Sequence, residues 1–287
     1  MKNYVYKNRA SEESMQQFYD KVLKELNVKY EEMYLETKFG NTHVLIIGDK
    51  NKAPIFTVHG GNGMNPLNIK LFLPLLEHYC IYAPDVIGFP GKSEPIRLNP
   101  KDDSYGEWLK ELLDKLKISS IPFVVSSYSS AFMLDLAKIA PERIEKAVLL
   151  VPSGIAHGPI IPILRKQMLP FMTYFIRPNE QRLRKAVEPM LTEEEEIWYE
   201  FFNLILTNYK MELRSPREFT KKEMSGFKAP VYIIAAENDI FFPPNKVIPK
   251  AKYIFNNIYK TKIITGKHLP DKKTMSMVCE EIVNFIG

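Results

Sequence analysis

The sequence predicts an α/β fold: a mostly parallel central sheet flanked by helices, with one all-helical segment inserted into it. Three observations carry this expectation. The 287 residues are 45% hydrophobic, 25% charged and 12% aromatic, a globular composition that excludes a disordered, collagenous or coiled-coil chain. Between about residues 30 and 150, short β-rich runs alternate with helical periodicities, as they do where helices cover both faces of a parallel sheet. From 153 to 228 the β-rich runs vanish, and after 228 they return.

The elements follow in order. Behind Ser11, expected to act as the cap, residues 11–27 carry Met15, Phe18, Val22, Leu23 and Leu26 near helical spacing, with Glu12 and Glu13 in the first turn. YEEMYLET, THVLIIG and PIFTVHG then read as strands, and the stretch near 65–78 as a helix. CIYAPD, PFVVSS and KAVLLVP are three more strands, separated by SYGEWLKELLDKLK and by a helix over about 128–140. Within 153–228, Asn179 is placed to cap QRLRKAVEPM. Thr192 and Glu195 form a capping box ahead of Trp198, Phe201, Phe202 and Ile205, which fall at i, i+3, i+4 and i+7. APVYIIAAEND and YKTKIIT return the β texture, and a helix over about 270–286 ends the chain. The expected division is an N-terminal part of the core (1–152), a helical cap (153–228) and a C-terminal part of the core (229–287).

Charge and composition narrow the partners. A net charge of +5 is small for this surface, and residues 153–228 hold twelve positive against ten negative side chains, so no basic patch argues for nucleic acid. Cys80 and Cys279 lie far apart in apolar surroundings without CxxC or Cys/His spacing, which reads as two buried free thiols and no metal site. Neither GxxxxGK[ST] nor GxGxxG is present, so no cofactor is expected. The N-terminus lacks an apolar signal region, and no apolar run approaches the ~18 residues of a membrane span; a cytoplasmic location and a small-molecule substrate are the expectation.

Three strand ends carry polar residues suited to acyl transfer. PIFTV runs into His59, Gly60 and Gly61, where paired glycines allow a tight turn with exposed N–H groups. VVSSYSSAF leads from a strand through four serines into a helix, and a serine at such a turn stands above the sheet while the helix start stabilises an oxyanion. Asp239 and His268 each follow a strand. They supply the base that a high-pKa hydroxyl needs and the carboxylate that orients that base.

These pieces together resemble the α/β-hydrolase fold family, over nearly all of residues 30–287: HGG at 59–61, DVIGFPGKSEP from Asp85, the serine-rich turn, APERI leading into KAVLLVP, PVYIIAAENDIFFP and GKHLP. The stretch from Leu116 to Ile144 aligns without a gap to the family's nucleophile segment, with Leu116, Ala137 and Pro141 in register. The resemblance implies a carboxylesterase-like serine hydrolase, with Ser127 as nucleophile, His268 as base, Asp239 as acid, and the backbone N–H groups of Gly61 and Tyr128 as the oxyanion hole. Within the family a lactonase, thioesterase, aminopeptidase or carbon–carbon bond hydrolase shares the same layout, as does a non-enzymatic receptor.

At the turn itself the family's Gly-x-Ser-x-Gly-Gly reads Val125, Ser126, Ser127, Tyr128, Ser129, Ser130. Small residues are wanted there, and Val125 is unexpected. A rival register makes Ser129 the nucleophile, and Glu237 is a second candidate acid. Asp85 reads as a structural turn residue, His43 and His78 as structural, and His157 as a loop histidine near the start of the insert. The insert holds ten aromatic residues and five methionines, which serve packing and, over a serine nucleophile, would wall an apolar acyl pocket.

Overall fold

The computed structural model describes residues 4–287. Eight strands form one sheet in the order β1-β2-β4-β3-β5-β6-β7-β8. Helix α1 (Arg9–Glu25) precedes the hairpin β1 (Tyr30–Thr37) and β2 (Gly40–Ile47). The core continues through β3 (Ala53–Val58), α2 (Asn65–Phe72), β4 (Tyr79–Pro84), α3 (Ser104–Lys115), β5 (Ile121–Ser126), α4 (Ser129–Ile139) and β6 (Ile144–Leu150). Four helices follow: α5 (Ile160–Ile163), α6 (Leu169–Ile176), α7 (Glu180–Val187) and α8 (Glu196–Asn208). The chain then closes with β7 (Val231–Ala236), α9 (Pro244–Ile254), β8 (Ile258–Ile264) and α10 (Lys272–Ile286). Strand β2 alone runs against the rest, pairing antiparallel with both β1 and β4; β4, β3, β5, β6, β7 and β8 are mutually parallel.

Period-two alternation in the strands builds two apolar layers. Ile55, Val124, Val148 and Ile234 point to the face covered by α1 and α10, while Phe56, Val125, Leu149 and Ile233 point to the face covered by α3, α4 and α9. Because both faces are buried, the central strands read as unbroken apolar runs. The parallel strands all end on one edge, so the turns after β3, β5, β7 and β8 meet there.

Several local expectations need correction. Helix α1 starts two residues early: the Asn8 side chain accepts from Ser11 N–H at 2.8 Å, and Ser11 itself is buried. Asn179 does cap α7, accepting from Arg182 N–H at 2.9 Å. Thr192 does not cap α8, which begins at Glu196; its hydroxyl instead accepts from Lys267 N–H at 2.8 Å, across to the loop after β8. The helical part of the insert spans 160–208, and 209–230 is irregular. Its charged side chains are held by tertiary pairs, Glu212 with Arg97 and Arg217 with Asp135, and by the local pair of Arg214 with the buried Glu212, instead of by helix turns. The sequence pattern does not predict helix α9, because Pro249 interrupts it, although Pro244 stands at the first helical position, where proline is favoured. Cys80 and Cys279 are buried free thiols, as expected.

Candidate active site

Strand β5 ends at Ser126, and the next residue turns sharply. Ser127 has φ of 56°, a left-handed conformation rare for a residue with a side chain and typical of strained functional turns. Its N–H donates to Leu150 O at 2.9 Å and its carbonyl accepts from Ser153 N–H at 3.1 Å, so the end of β6 holds the strain in place. Val125, the unexpected residue, stays within the regular strand, paired with Val58 and Leu149 and fully buried. The turn needs left-handed backbone only at Ser127, so a branched residue two positions earlier, within the regular strand, is compatible with it.

The serine hydroxyl meets the two residues expected from the other strand ends. Ser127 Oγ lies 2.8 Å from His268 Nε2, and His268 Nδ1 lies 2.8 Å from Asp239 Oδ2. Asp239 is itself oriented: its Oδ1 accepts from Phe241 N–H at 2.8 Å and Phe242 N–H at 3.2 Å. Phe241 and Phe242 also flank the imidazole, with ring centroids 5.2 and 5.7 Å away. The loop carrying His268 is gripped from the insert, since Leu269 N–H donates to Met190 O and Thr192 N–H to Leu269 O. Gly266 must be glycine there: φ is +106°, and a Cβ would lie 2.5 Å from Thr192 Oγ1.

The rival candidates are placed elsewhere. Ser129 is buried in the first turn of α4, its Oγ 2.8 Å from both Val58 O and Ser126 O. Glu237 is exposed, and its carboxylate accepts from its neighbour Asn238. Asp85 is buried, accepting from Asn65 Nδ2 and Lys92 N–H and contacting His43 Nδ1 at 2.8 Å; it ties down the turn after β4. His43, read as structural from sequence, sits buried between Asp85 and Glu32.

The His-Gly-Gly turn passes directly over the serine. A Cβ on Gly60 would lie 3.2 Å from Ser127 Cβ, and one on Gly61 would lie 2.8 Å from Tyr128 Cβ. Among the described residues, neither the Gly61 nor the Tyr128 N–H has a protein partner. His59 supports the turn. Val86 N–H donates to its Nε2 at 3.0 Å, which leaves the ring proton on Nδ1, facing Gly60 O at 3.0 Å. Burial holds the His59 pKa below its ordinary value, and the neutral ring suits both bonds.

A feature that sequence reasoning missed is the strap of residues 209–216. Asn62, itself at φ 55°, accepts from Glu212 N–H at 2.7 Å and donates to Glu212 O at 3.1 Å, while Tyr128 OH donates to Arg214 O at 2.8 Å. The strap thus clamps both donor-bearing turns. Its only sequence signal is Asn62, a residue type tolerant of left-handed backbone.

A cavity of about 500 Å³ opens beside Ser127 and His268. Its walls are largely apolar, with Leu67 and Leu71 from α2, and Met168, Phe171, Trp198 and Ile205 from the insert. His157 lies at its rim, its Nε2 3.1 Å from Pro216 O. Among the described residues no group of acidic, His or Cys side chains is placed to hold a metal.

The family profile of the alpha/beta hydrolase fold matches residues 53–270. The chain belongs to that family. It is 21% identical to carboxylesterase YbfK of Bacillus subtilis, over 94% of this chain and 92% of that one. The crystal structure of naproxen esterase (carboxylesterase NP) from Bacillus subtilis superposes with a TM-score of 0.83 at 19% identity, covering 98% of this chain and all of that one. The crystal structure of carboxylesterase CesB (YbfK) gives 0.79 at 19% identity, over 97% and 99% of the two chains.

Proposed function

We propose that this chain is a serine hydrolase that cleaves an ester-type bond in a small or medium apolar acyl substrate. The observation that carries the reading is the line of contacts from Ser127 Oγ through His268 to Asp239 at 2.8 Å each, at the edge of an apolar cavity. The full-length similarity to carboxylesterases supports it. In this reading His268 Nε2 takes the hydroxyl proton as Ser127 Oγ attacks the substrate carbonyl carbon. Asp239 holds the Nδ1–H tautomer and stabilises the imidazolium that forms. The carbonyl oxygen gains negative charge and is received by the free N–H groups of Gly61 and Tyr128, preorganised by the strap. The imidazolium then protonates the departing alkoxide, leaving an acyl-serine. Water, deprotonated by His268, attacks that acyl group and releases the carboxylic acid and Ser127.

The helices between β6 and β7 act as a cap whose inner side chains wall the acyl pocket. The two buried free thiols support a cytoplasmic site of action. The test is hydrolysis of p-nitrophenyl esters from acetate to octanoate. Each added CH₂ should raise kcat/KM up to about fourfold, from ~0.8 kcal/mol of buried methylene, until the cavity is full. Beyond that length the rate should fall, because a packed wall resists overfilling. No turnover of any ester overturns the reading; a flat chain-length profile overturns the apolar pocket.

A further inference from the structure

The insert carries an outward face that the proposed pocket does not use. Helix α5, a π-turn over Leu164–Met168 and α6 form one continuous helix of seventeen residues, 160–176. It bears seven of the fifteen large apolar side chains exposed among the described residues. Six of them, Ile161, Leu164, Leu169, Met172, Phe175 and Ile176, are 47–82% exposed. The π-turn keeps them together. Leu169 N–H donates to Leu164 O, a five-residue step that sets Leu169 above Leu164 and carries the stripe on to Met172 and Phe175. The same step sets Met168 above Ile163 on the inner face, where both line the cavity.

Isolated exposed apolar residues need no explanation, but a contiguous helical stripe does. The charges beside it indicate its partner. Arg165, Lys166 and Arg177 are exposed and, among the described residues, form no ion pair; no acidic residue occurs from Pro159 to Arg177. An exposed apolar stripe on a helix whose own charges are all cations is the make-up of a helix that lies in the plane of an anionic lipid surface. No helix of the described chain is long and apolar enough to cross a membrane, so the contact is peripheral. We infer that the outer face of residues 160–176 docks the protein on an anionic phospholipid bilayer. Docking there brings the mouth of the cavity, where Ile160 stands both exposed and lining, to the lipid surface. The surface goes beyond the esterase reading and stands whether or not that reading holds, because its test measures partition and not turnover.

The test is sedimentation with vesicles of mixed phosphatidylcholine and phosphatidylglycerol, against vesicles of phosphatidylcholine alone. The wild type should partition at least about tenfold more strongly onto the mixed vesicles, and high salt should weaken this. Arg165→Gln with Lys166→Gln should lower that partition about 25-fold, roughly fivefold per cation. Phe175→Gln with Ile176→Gln should lower it at least about tenfold. Both pairs are exposed and away from the cavity, so circular dichroism and hydrolysis of a water-soluble ester should be unchanged in them. The inference is overturned if the wild type fails to bind the mixed vesicles, or if either pair binds as the wild type does. It is overturned as well if gel filtration shows a dimer that the Phe175/Ile176 variant dissociates without any vesicle binding, since a second copy then covers the face.

Discussion

Replacing Gly61 by alanine separates the oxyanion donors proposed at Gly61 and Tyr128 from the rest of the proposed machinery. An added Cβ would lie 2.7–2.8 Å from Cδ2, Cβ and Cγ of Tyr128, against about 3.5–4.0 Å for carbon atoms at ordinary contact. Tyr128 cannot swing aside. Its hydroxyl bonds Arg214 O at 2.8 Å, and its ring packs on Phe89 and Phe132 at centroid distances of 5.8 and 5.3 Å. One of the two turns must therefore shift by roughly 1 Å, enough to cost about 10²-fold in rate when reacting groups are misplaced. Loss of one donor outright costs about 10²–10³. In Gly61→Ala, kcat and kcat/KM for a p-nitrophenyl ester should fall together by about 10²–10³, with KM nearly unchanged, as for an interaction made only in the transition state. Overpacking should also cost about 1–3 kcal/mol of stability, read from urea denaturation. A variant that is destabilised yet keeps kcat within about threefold of wild type would refute the assignment of Gly61 and Tyr128 as oxyanion donors.

Further expectations concern the neighbouring residues. Asp239→Asn should lower kcat by about 10⁴, because the amide presents a donor where His268 Nδ1–H needs an acceptor; steady-state ester hydrolysis reads this directly. Ser129→Ala should keep turnover within a few-fold but lose about 1–3 kcal/mol in urea denaturation, since it strips partners from buried backbone groups of Val58 and Ser126. Burial pushes the Asp135 carboxyl up to about 7, against the opposing pull of Arg217. The folded chain then keeps a proton that the unfolded chain releases above about pH 4, so stability from this site falls as pH rises from about 4 to about 7. Asp135→Asn should flatten that slope in urea midpoints measured across this range.

Much of this was legible in the sequence, for definite reasons. The strands that carry the site are buried on both faces, so PIFTV, PFVVS and VYIIAA stand out as apolar runs, each followed at once by a polar turn. Ser127 and Asp239 follow two such strands and His268 follows the partly exposed edge strand YKTKIIT, in the chain order Ser, Asp, His. The gapless alignment across Leu116–Ile144 selected Ser127 over Ser129. The doubt raised by Val125 dissolves because, within the turn of residues 125–130, only Ser127 carries a positive φ. What sequence could not show depends on tertiary partners. Thr192 has the chemistry of a cap but bonds Lys267 N–H, and α9 forms despite Pro249 because Val247, Ala251 and Ile254 bury themselves against the sheet. The strap at 209–216 has no periodicity to read; it is held by Asn62 and Tyr128, more than eighty residues away in the chain.

The central claim is that Ser127 is the nucleophile, and covalent labelling tests it most directly. The native protein should react with a fluorophosphonate probe in equal proportion, lose ester hydrolysis in step with labelling, and yield on peptide mass mapping an adduct on Ser127 alone. Ser127→Ala should remain folded, take up no probe and show no turnover above a trace. An adduct on Ser129, or steady ester hydrolysis by Ser127→Ala, would contradict the account.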